Sequence, residues 1–157
     1  MPAAALPASG PTSAPIRSAA APGNIAAALA GTWRQICQPY LPGDGASDIT
    51  YTITPQGADS LQMAGVAKDY KNTSCAGAGT VIATPQFVQK IVGQAALGGV
   101  PVIRLVDEGA AVPAPTDSKS VAGIDQGRLR FGQAKGARDG EGFPTQFEKP
   151  ADAYNRQ

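Results

Sequence analysis

The sequence predicts an all-β domain in which about eight antiparallel strands form an up-and-down barrel, with a β-sandwich as the alternative. The chain of 157 residues contains 19 Gly and 14 Pro, a turn-rich composition that is unusual for a helical bundle. Several short segments alternate apolar and polar side chains with the period of two that is typical of strands. No long helical pattern separates them. A closed barrel fits such a series because closure removes exposed sheet edges.

The first 24 residues are mostly Ala, Pro, Gly, Ser and Thr, with prolines at positions 2, 7, 11, 15 and 22. Such a segment buries too little apolar surface to offset the entropy of ordering. We therefore expect residues 1–24 to be a disordered tether, residues 25–133 to be the barrel domain and residues 134–157 to be an irregular tail packed on it. The export-like composition also leads us to expect a precursor whose signal peptide has been removed.

The barrel is predicted to begin with a short helical turn at residues 24–30, which Gly31 ends. The first strand follows at residues 32–37, where Trp33 and Cys37 share one face. The clearest alternation in the chain is at residues 49–54, and a third strand is expected at residues 60–67. Gly65 predicts a bulge that lets Val66 continue the inward face. A fourth strand is expected at residues 80–84.

Residues 85–106 fit two structures. Pro85 at a first helical position and Gly98 beyond the end would suit a helix. A hairpin with strands at residues 87–92 and 100–106 is the prediction that we prefer, because β-branched residues are frequent in it. A last hairpin is predicted from residues 119–124 and 128–133.

The tail at residues 134–157 carries three isolated aromatic residues, Phe143, Phe147 and Tyr154. This spacing indicates a segment that wraps over the domain and is held by aromatic anchors. The functional alternative is a flexible aromatic lip over a ligand mouth.

Two cysteines, Cys37 and Cys75, are present. In a secreted or periplasmic protein they would form a disulfide, which is the pairing that we favour, and in a cytosolic protein they would remain buried thiols. A disulfide would tie the loop around Cys75 to the end of the first strand.

The stretch Gly31-Thr32-Trp33 after a helical turn resembles the start of the lipocalins (calycin-type barrels), and Lys68-Asp69-Tyr70 resembles a degenerate copy of their Thr-Asp-Tyr motif. The resemblance implies an eight-stranded barrel with a small apolar ligand in its mouth. It also implies an arginine that packs across the tryptophan at the closed end, for which Arg128 and Arg130 are the candidates. Small exported bacterial domains with a similar Gly-x-Trp start and two cysteines are a second resemblance, and it implies export.

Composition excludes several function classes. The net charge is +1 and no run of basic residues could follow a phosphate backbone, so we expect no nucleic-acid partner. No apolar run is long enough to predict a membrane span. The chain has no histidine, which removes histidine-dependent catalysis and histidine metal sites. The acidic pairs Asp107-Glu108 and Asp139/Glu141 match no known catalytic or metal-binding spacing, so we expect them to be solvated.

We therefore expect a non-enzymatic, monomeric protein of the bacterial periplasm or the secreted fraction, with no cofactor and no metal. Its partner would be a small apolar ligand in the barrel. The alternative is an envelope or surface protein that acts on a protein partner through its loops. The sequence assigns no ligand-binding residues.

Overall fold

A computed structural model of the chain describes residues 22–157, of which the first two are described by backbone only. Residues 1–21 of the expected tether therefore lie outside the described residues. The helix and the strands are α1 (Pro22–Leu29), β1 (Gly31–Gln35), β2 (Gln38–Pro39), β3 (Ala46–Gln56), β4 (Ser60–Tyr70), β5 (Thr80–Ala83), β6 (Gln86–Leu97), β7 (Val100–Asp107), β8 (Lys119–Asp125), β9 (Arg128–Phe131) and β10 (Tyr154–Arg156). Single 3₁₀ turns lie at Thr116–Ser118 and Pro150–Asp152.

The strands form a closed antiparallel barrel, as the sequence predicts. The hydrogen-bonded order β3-β1-β10-β9-β8-β7-β6-β4 contains eight strands, and the pairing of β3 with β4 closes it. The two short strands extend neighbouring positions of the wall: β2 pairs with β3 beyond the end of β1, and β5 pairs with β4 beyond the start of β6. The sheet thus continues past the rim of the barrel on one side.

The eighth barrel strand differs from the one that the sequence predicts. The segment at residues 80–84 does form a strand, β5, but it pairs only with β4 and is not a separate position in the ring. The eighth position is filled by β10, from the tail that was expected to be irregular. β10 pairs with β1 and with β9, and so joins the first barrel strand to the last hairpin.

The preferred hairpin at residues 85–106 is confirmed, and the helix is wrong. β6 and β7 pair antiparallel from Gln89↔Asp107 to Leu97↔Val100, around a turn in which Gly98 and Gly99 both have positive φ. The predicted bulge at Gly65 is also wrong, because β4 stays in regular register with β3 along its whole length. Val66 is exposed on the outer face. The expected helical turn is present, and α1 begins at Pro22, inside the segment assigned to the tether.

The helix covers one end of the barrel, here called the closed end. Ile25, Ala26 and Leu29 are buried in one cluster with Trp33 and with the inward side chains of the strands. α1 thus fills this end with apolar side chains, and the opposite end is here called the open end.

Residues 132–148, here called the outer segment, pack against the outside of the barrel, and both ends of the segment reach the rim of the open end. Phe143 is buried in a second cluster with Leu97, Val102 and Val121, and Phe147 packs at its margin. Two of the three expected aromatic anchors therefore lie on the outer wall. The third, Tyr154, lies in the interior cluster instead.

Candidate functional site

The open end of the barrel contains a cavity of about 260 Å³, here called the mouth cavity. It lies above the buried layer that α1 and Trp33 complete. Five of the side chains around it are large and apolar or aromatic, and three are polar. The lining residues are Tyr51, Met63, Phe87, Gln89, Ser120, Phe131, Gly132, Ala134, Glu148 and Tyr154.

Four aromatic rings form one side of this cavity. The Tyr51 ring centroid lies 6.2 Å from that of Phe87, 6.3 Å from that of Phe131 and 5.8 Å from that of Tyr154. Phe131 meets Tyr154 edge to face at 5.4 Å. These separations are the favourable ones for aromatic pairs. The four rings come from four different strands, so the barrel itself fixes their spacing.

Gly65 makes room for the central ring. It lies opposite Tyr51 in the β3–β4 register, and a Cβ atom added to Gly65 would lie 2.8 Å from a carbon of the Tyr51 ring. Any larger residue would displace the ring. The glycine that resembled a bulge signal in the sequence thus serves the packing of the cavity wall.

The polar side chains of the mouth cavity differ in their hydrogen-bond and ion-pair partners. The buried Gln89 donates hydrogen bonds from Nε2 to Asp107 Oδ1 (3.0 Å) and to Ser120 Oγ (3.2 Å), which fixes the orientation of its amide. Glu148 is half-buried, and burial together with the nearby Asp152 raises the pKa of its carboxyl above the ordinary value. Its carboxylate makes no ion pair with the residues that the structure describes.

The two tyrosine hydroxyls of the cavity stay protonated. Burial raises the pKa of Tyr51, and burial together with Tyr51, Glu148 and Asp152 raises the pKa of Tyr154. Both rings therefore present neutral hydroxyl groups at physiological pH.

A second cleft of about 520 Å³ adjoins the mouth cavity and shares Phe87, Gln89 and Ser120 with it. We call it the acidic cleft, because its other lining residues include Asp107, Glu108 and Asp117. The first of the predicted acidic pairs thus lies at the open end. The second pair lies on the outer wall, where Arg104 forms ion pairs with Asp139 (2.7 Å) and with Glu141.

The closed end contains the Gly31-Thr32-Trp33 motif. Trp33 is buried, and its Nε1 donates a hydrogen bond to the Leu29 carbonyl at 2.8 Å. Gly31 has a φ of +124°, and a Cβ atom there would lie 2.7 Å from Nη1 of Arg156. Glycine is therefore required between the helix and the tryptophan.

The arginine that packs on Trp33 is Arg156, and the assignment to Arg128 or Arg130 is wrong. The Arg156 guanidinium carbon lies 4.1 Å from the centroid of the Trp33 ring. Its nitrogens donate to the carbonyls of Ala28 (2.8 Å) and Ala30 (2.9 Å) at the end of α1. The physical reason is the register, since β10 lies between β9 and β1 and pairs Arg156 with Trp33.

The other two arginines have different surroundings. Arg130 lies 5.0 Å from the centroid of the Phe147 ring and pairs with Asp125. Arg128 is exposed at the start of β9. Among the described residues, Arg156 is the arginine that lies over the Trp33 ring.

The disulfide between Cys37 and Cys75 is present, with the two Cα atoms 5.7 Å apart. Arg34 lies beside it and donates to the Cys75 carbonyl (2.9 Å) and to the buried carboxylate of Asp48 (2.6 Å). Tyr70, from the Lys68-Asp69-Tyr70 stretch, also donates to Asp48 (3.2 Å). This cluster fastens the loop that contains Cys75 to the outside of the barrel and forms no part of the mouth cavity.

Metal-ligand clusters and membrane-spanning helices are absent from the described part of the chain. Among residues 22–157, no group of three or more acidic or sulfur ligands is arranged to hold a metal ion. No helix in the same range is long and apolar enough to cross a membrane.

The fold and the cavity define a small antiparallel β-barrel that is closed at one end by a helix and a tryptophan and has an aromatic-lined cavity at the other. Comparison of the chain with models of protein families, with curated protein sequences and with solved structures found no match. The barrel itself is compatible with the lipocalin-like architecture.

Proposed function

We propose that this protein is a non-enzymatic, lipocalin-like barrel that binds a small, largely apolar ligand in the mouth cavity. The observation that carries the proposal is the incomplete filling of the barrel. The closed end is packed with side chains, whereas the open end leaves about 260 Å³ among Tyr51, Met63, Phe87, Phe131 and Tyr154. Concave, mainly apolar cavities with a few fixed polar groups are the usual small-molecule sites of proteins.

The size of the cavity limits the ligand. Sites for drug-sized molecules enclose about 300–1,000 Å³, so the mouth cavity suits a molecule with a single ring or a short branched chain. Burying about 150 Å² of apolar ligand surface contributes about 4 kcal/mol, which by itself corresponds to a millimolar dissociation constant. Polar contacts with Gln89, Ser120 or Glu148 would strengthen the binding.

The proposed location is the bacterial periplasm or the secreted fraction. The disulfide between Cys37 and Cys75 supports it, because such bonds persist in oxidising compartments and are rare in the cytosol. We propose that the protein is a monomer there. Thiol alkylation of the protein in separated cell fractions tests the location, and finding it reduced in the cytosol would contradict it.

The binding function can be tested by titrating the isotopically labelled protein with benzyl alcohol and following its amide resonances by NMR. We expect saturable shifts at Tyr51, Gln89 and Tyr154. Ser120→Leu places a larger side chain in the cavity and should weaken binding by at least tenfold. Gln146→Leu makes a comparable change on the exposed outer segment and should leave binding unchanged. No saturable shift in the wild-type protein with benzyl alcohol or with charged analogues of the same size would refute the proposal.

The second candidate function is that of an envelope or surface protein that binds a protein partner. It is favoured by β5, which pairs on one side only and exposes Val81 and Ile82. Unpaired strand edges readily accept a further strand. Ile82→Lys should then abolish co-purification of one defined partner from envelope extracts, and recovery of the same partner by that variant would argue against this edge.

A further inference from the structure

The open end of the barrel gathers carboxylates that have no cationic partner. Glu148 lines the mouth cavity, and Asp107, Glu108 and Asp117 line the acidic cleft beside it. None of the four forms an ion pair within residues 22–157. Neither lining set includes a lysine or an arginine. Because the whole chain has a net charge of +1, this acidic character is local to the open end.

Glu148 lines the same cavity as the aromatic rings of Tyr51, Phe131 and Tyr154. Its backbone N–H donates to the Phe131 carbonyl at 2.9 Å, which holds the residue against β9. Glu148 and Tyr154 both line the mouth cavity, and the carboxylate contributes, after burial and Tyr51, to the raised pKa of that phenol. A half-buried carboxylate therefore stands at the edge of the ring cluster of Tyr51, Phe131 and Tyr154.

A carboxylate beside aromatic rings favours a positively charged ligand group. Burial and the nearby Asp152 raise the pKa of the Glu148 carboxyl. The nearby Arg130 donates to the backbone carbonyl of Glu148 and forms its ion pair with Asp125, so it does not pair with the Glu148 carboxylate. The faces of aromatic rings attract cations within about 6 Å, and the attraction grows when the site is shielded from water. A positively charged group in the mouth cavity would gain from both features, whereas an anion would be repelled by Glu148 and by the acidic cleft.

We infer that the mouth cavity is selective for small organic cations, with an ammonium group facing Glu148 and the apolar part of the ligand against the rings of Tyr51, Phe131 and Tyr154. The acidic cleft provides the approach, because clustered carboxylates raise the local concentration of cations. This inference rests on the proposed function and narrows its ligand class to amines. Neutral molecules of the same shape bind more weakly.

A matched pair of probes separates charge from shape. Benzylamine is protonated at neutral pH, and benzyl alcohol has nearly the same size without the charge. We expect NMR titration to show benzylamine binding about tenfold more tightly to the wild-type protein. Increasing salt should reduce this preference, since approach through the acidic cleft is electrostatic.

Two variants with the same change in net charge locate the effect. Glu148→Gln should reduce the ratio of the two affinities towards one, and its amide spectrum checks that the barrel is folded. Glu141→Gln removes one negative charge from the outer wall and should keep the wild-type ratio.

Three results would overturn the inference. Equal or tighter binding of benzyl alcohol by the wild-type protein would show that the cavity does not select cations, while the proposed binding function would stand. An unchanged ratio in Glu148→Gln would show that Glu148 is not the counter-ion. Failure of both probes to bind would refute the inference and the proposed function together.

Discussion

Replacing both Cys37 and Cys75 by serine should lower the free energy of unfolding by about 4 kcal/mol. The disulfide joins residues that are 38 positions apart, and the entropy of closing such a loop in the unfolded chain corresponds to about this value. For a domain of this size the melting temperature should fall by about 12 °C. Serine nearly preserves the volume of the buried Cys75 side chain, so the loss of packing is small.

The assay is urea denaturation followed by the fluorescence of Trp33, which is 1% exposed in the folded protein and becomes exposed on unfolding. The denaturant dependence of the free energy should also increase in the variant, because an unfolded chain without the cross-link exposes more surface. Wild-type protein kept reduced is the matched control. It should have the stability of the double variant, since it lacks the same bond.

A stability loss below about 1 kcal/mol, with an unchanged denaturant dependence, would refute this reasoning. It would mean that the loop around Cys75 is held as firmly without the bond. The contacts available for that are those of Arg34 with the Cys75 carbonyl and with Asp48.

Three further predictions concern the closed end, the outer wall and the mouth cavity. Trp33→Phe removes the hydrogen bond to the Leu29 carbonyl, and Arg156→Lys removes the paired hydrogen bonds to the carbonyls of Ala28 and Ala30. Each variant should lower the free energy of unfolding by about 2 kcal/mol, measured by urea denaturation followed by circular dichroism. Unchanged denaturation midpoints would contradict this. Phe143→Ala empties a buried position on the outer wall beside Arg104 and should cost about 3 kcal/mol, whereas a loss under about 1 kcal/mol would show that the outer segment adds little stability. Because burial and a neighbouring carboxylate raise the pKa of Glu148 above 4.5, the folded protein binds more protons than the unfolded chain just above that pH, and the free energy of unfolding falls as pH rises through this window. Glu148→Gln should flatten the fall that begins near pH 4.5, and a parallel curve would contradict the assignment.

Local patterns predicted most of the strands. The alternation at residues 49–54 lies within β3, and the β-branched residues at 85–106 form the hairpin of β6 and β7. Gly31 and Trp33 were identified from a three-residue motif, and the structure explains the glycine by its positive φ and by the closeness of Arg156. These features depend on neighbours in sequence, so their signals are visible without the fold.

The candidate site was not predictable in the same way. Its lining residues come from β3, β4, β6, β8, β9, β10 and the outer segment, and no motif connects them. Glu148 follows a segment that looked polar and irregular, and Gly65 resembled a bulge. One signal was available: Tyr51, Phe87, Phe131 and Tyr154 are aromatic residues of a chain in which only 6% are aromatic. Their convergence becomes visible only when the barrel closes.

The sequence by itself determined the all-β class, the approximate number of strands, the opening helical turn and the cysteine pair, because alternation, turn residues and composition act over a few neighbouring residues. The tertiary structure decided which segments complete the ring. A three-residue strand such as Tyr154–Arg156 has little preference of its own, and it becomes β10 because the unpaired edges of β1 and β9 both offer hydrogen bonds to it. The same closure selected Arg156 as the partner of Trp33 and left the mouth cavity open, since both depend on registers between segments that are far apart in the chain.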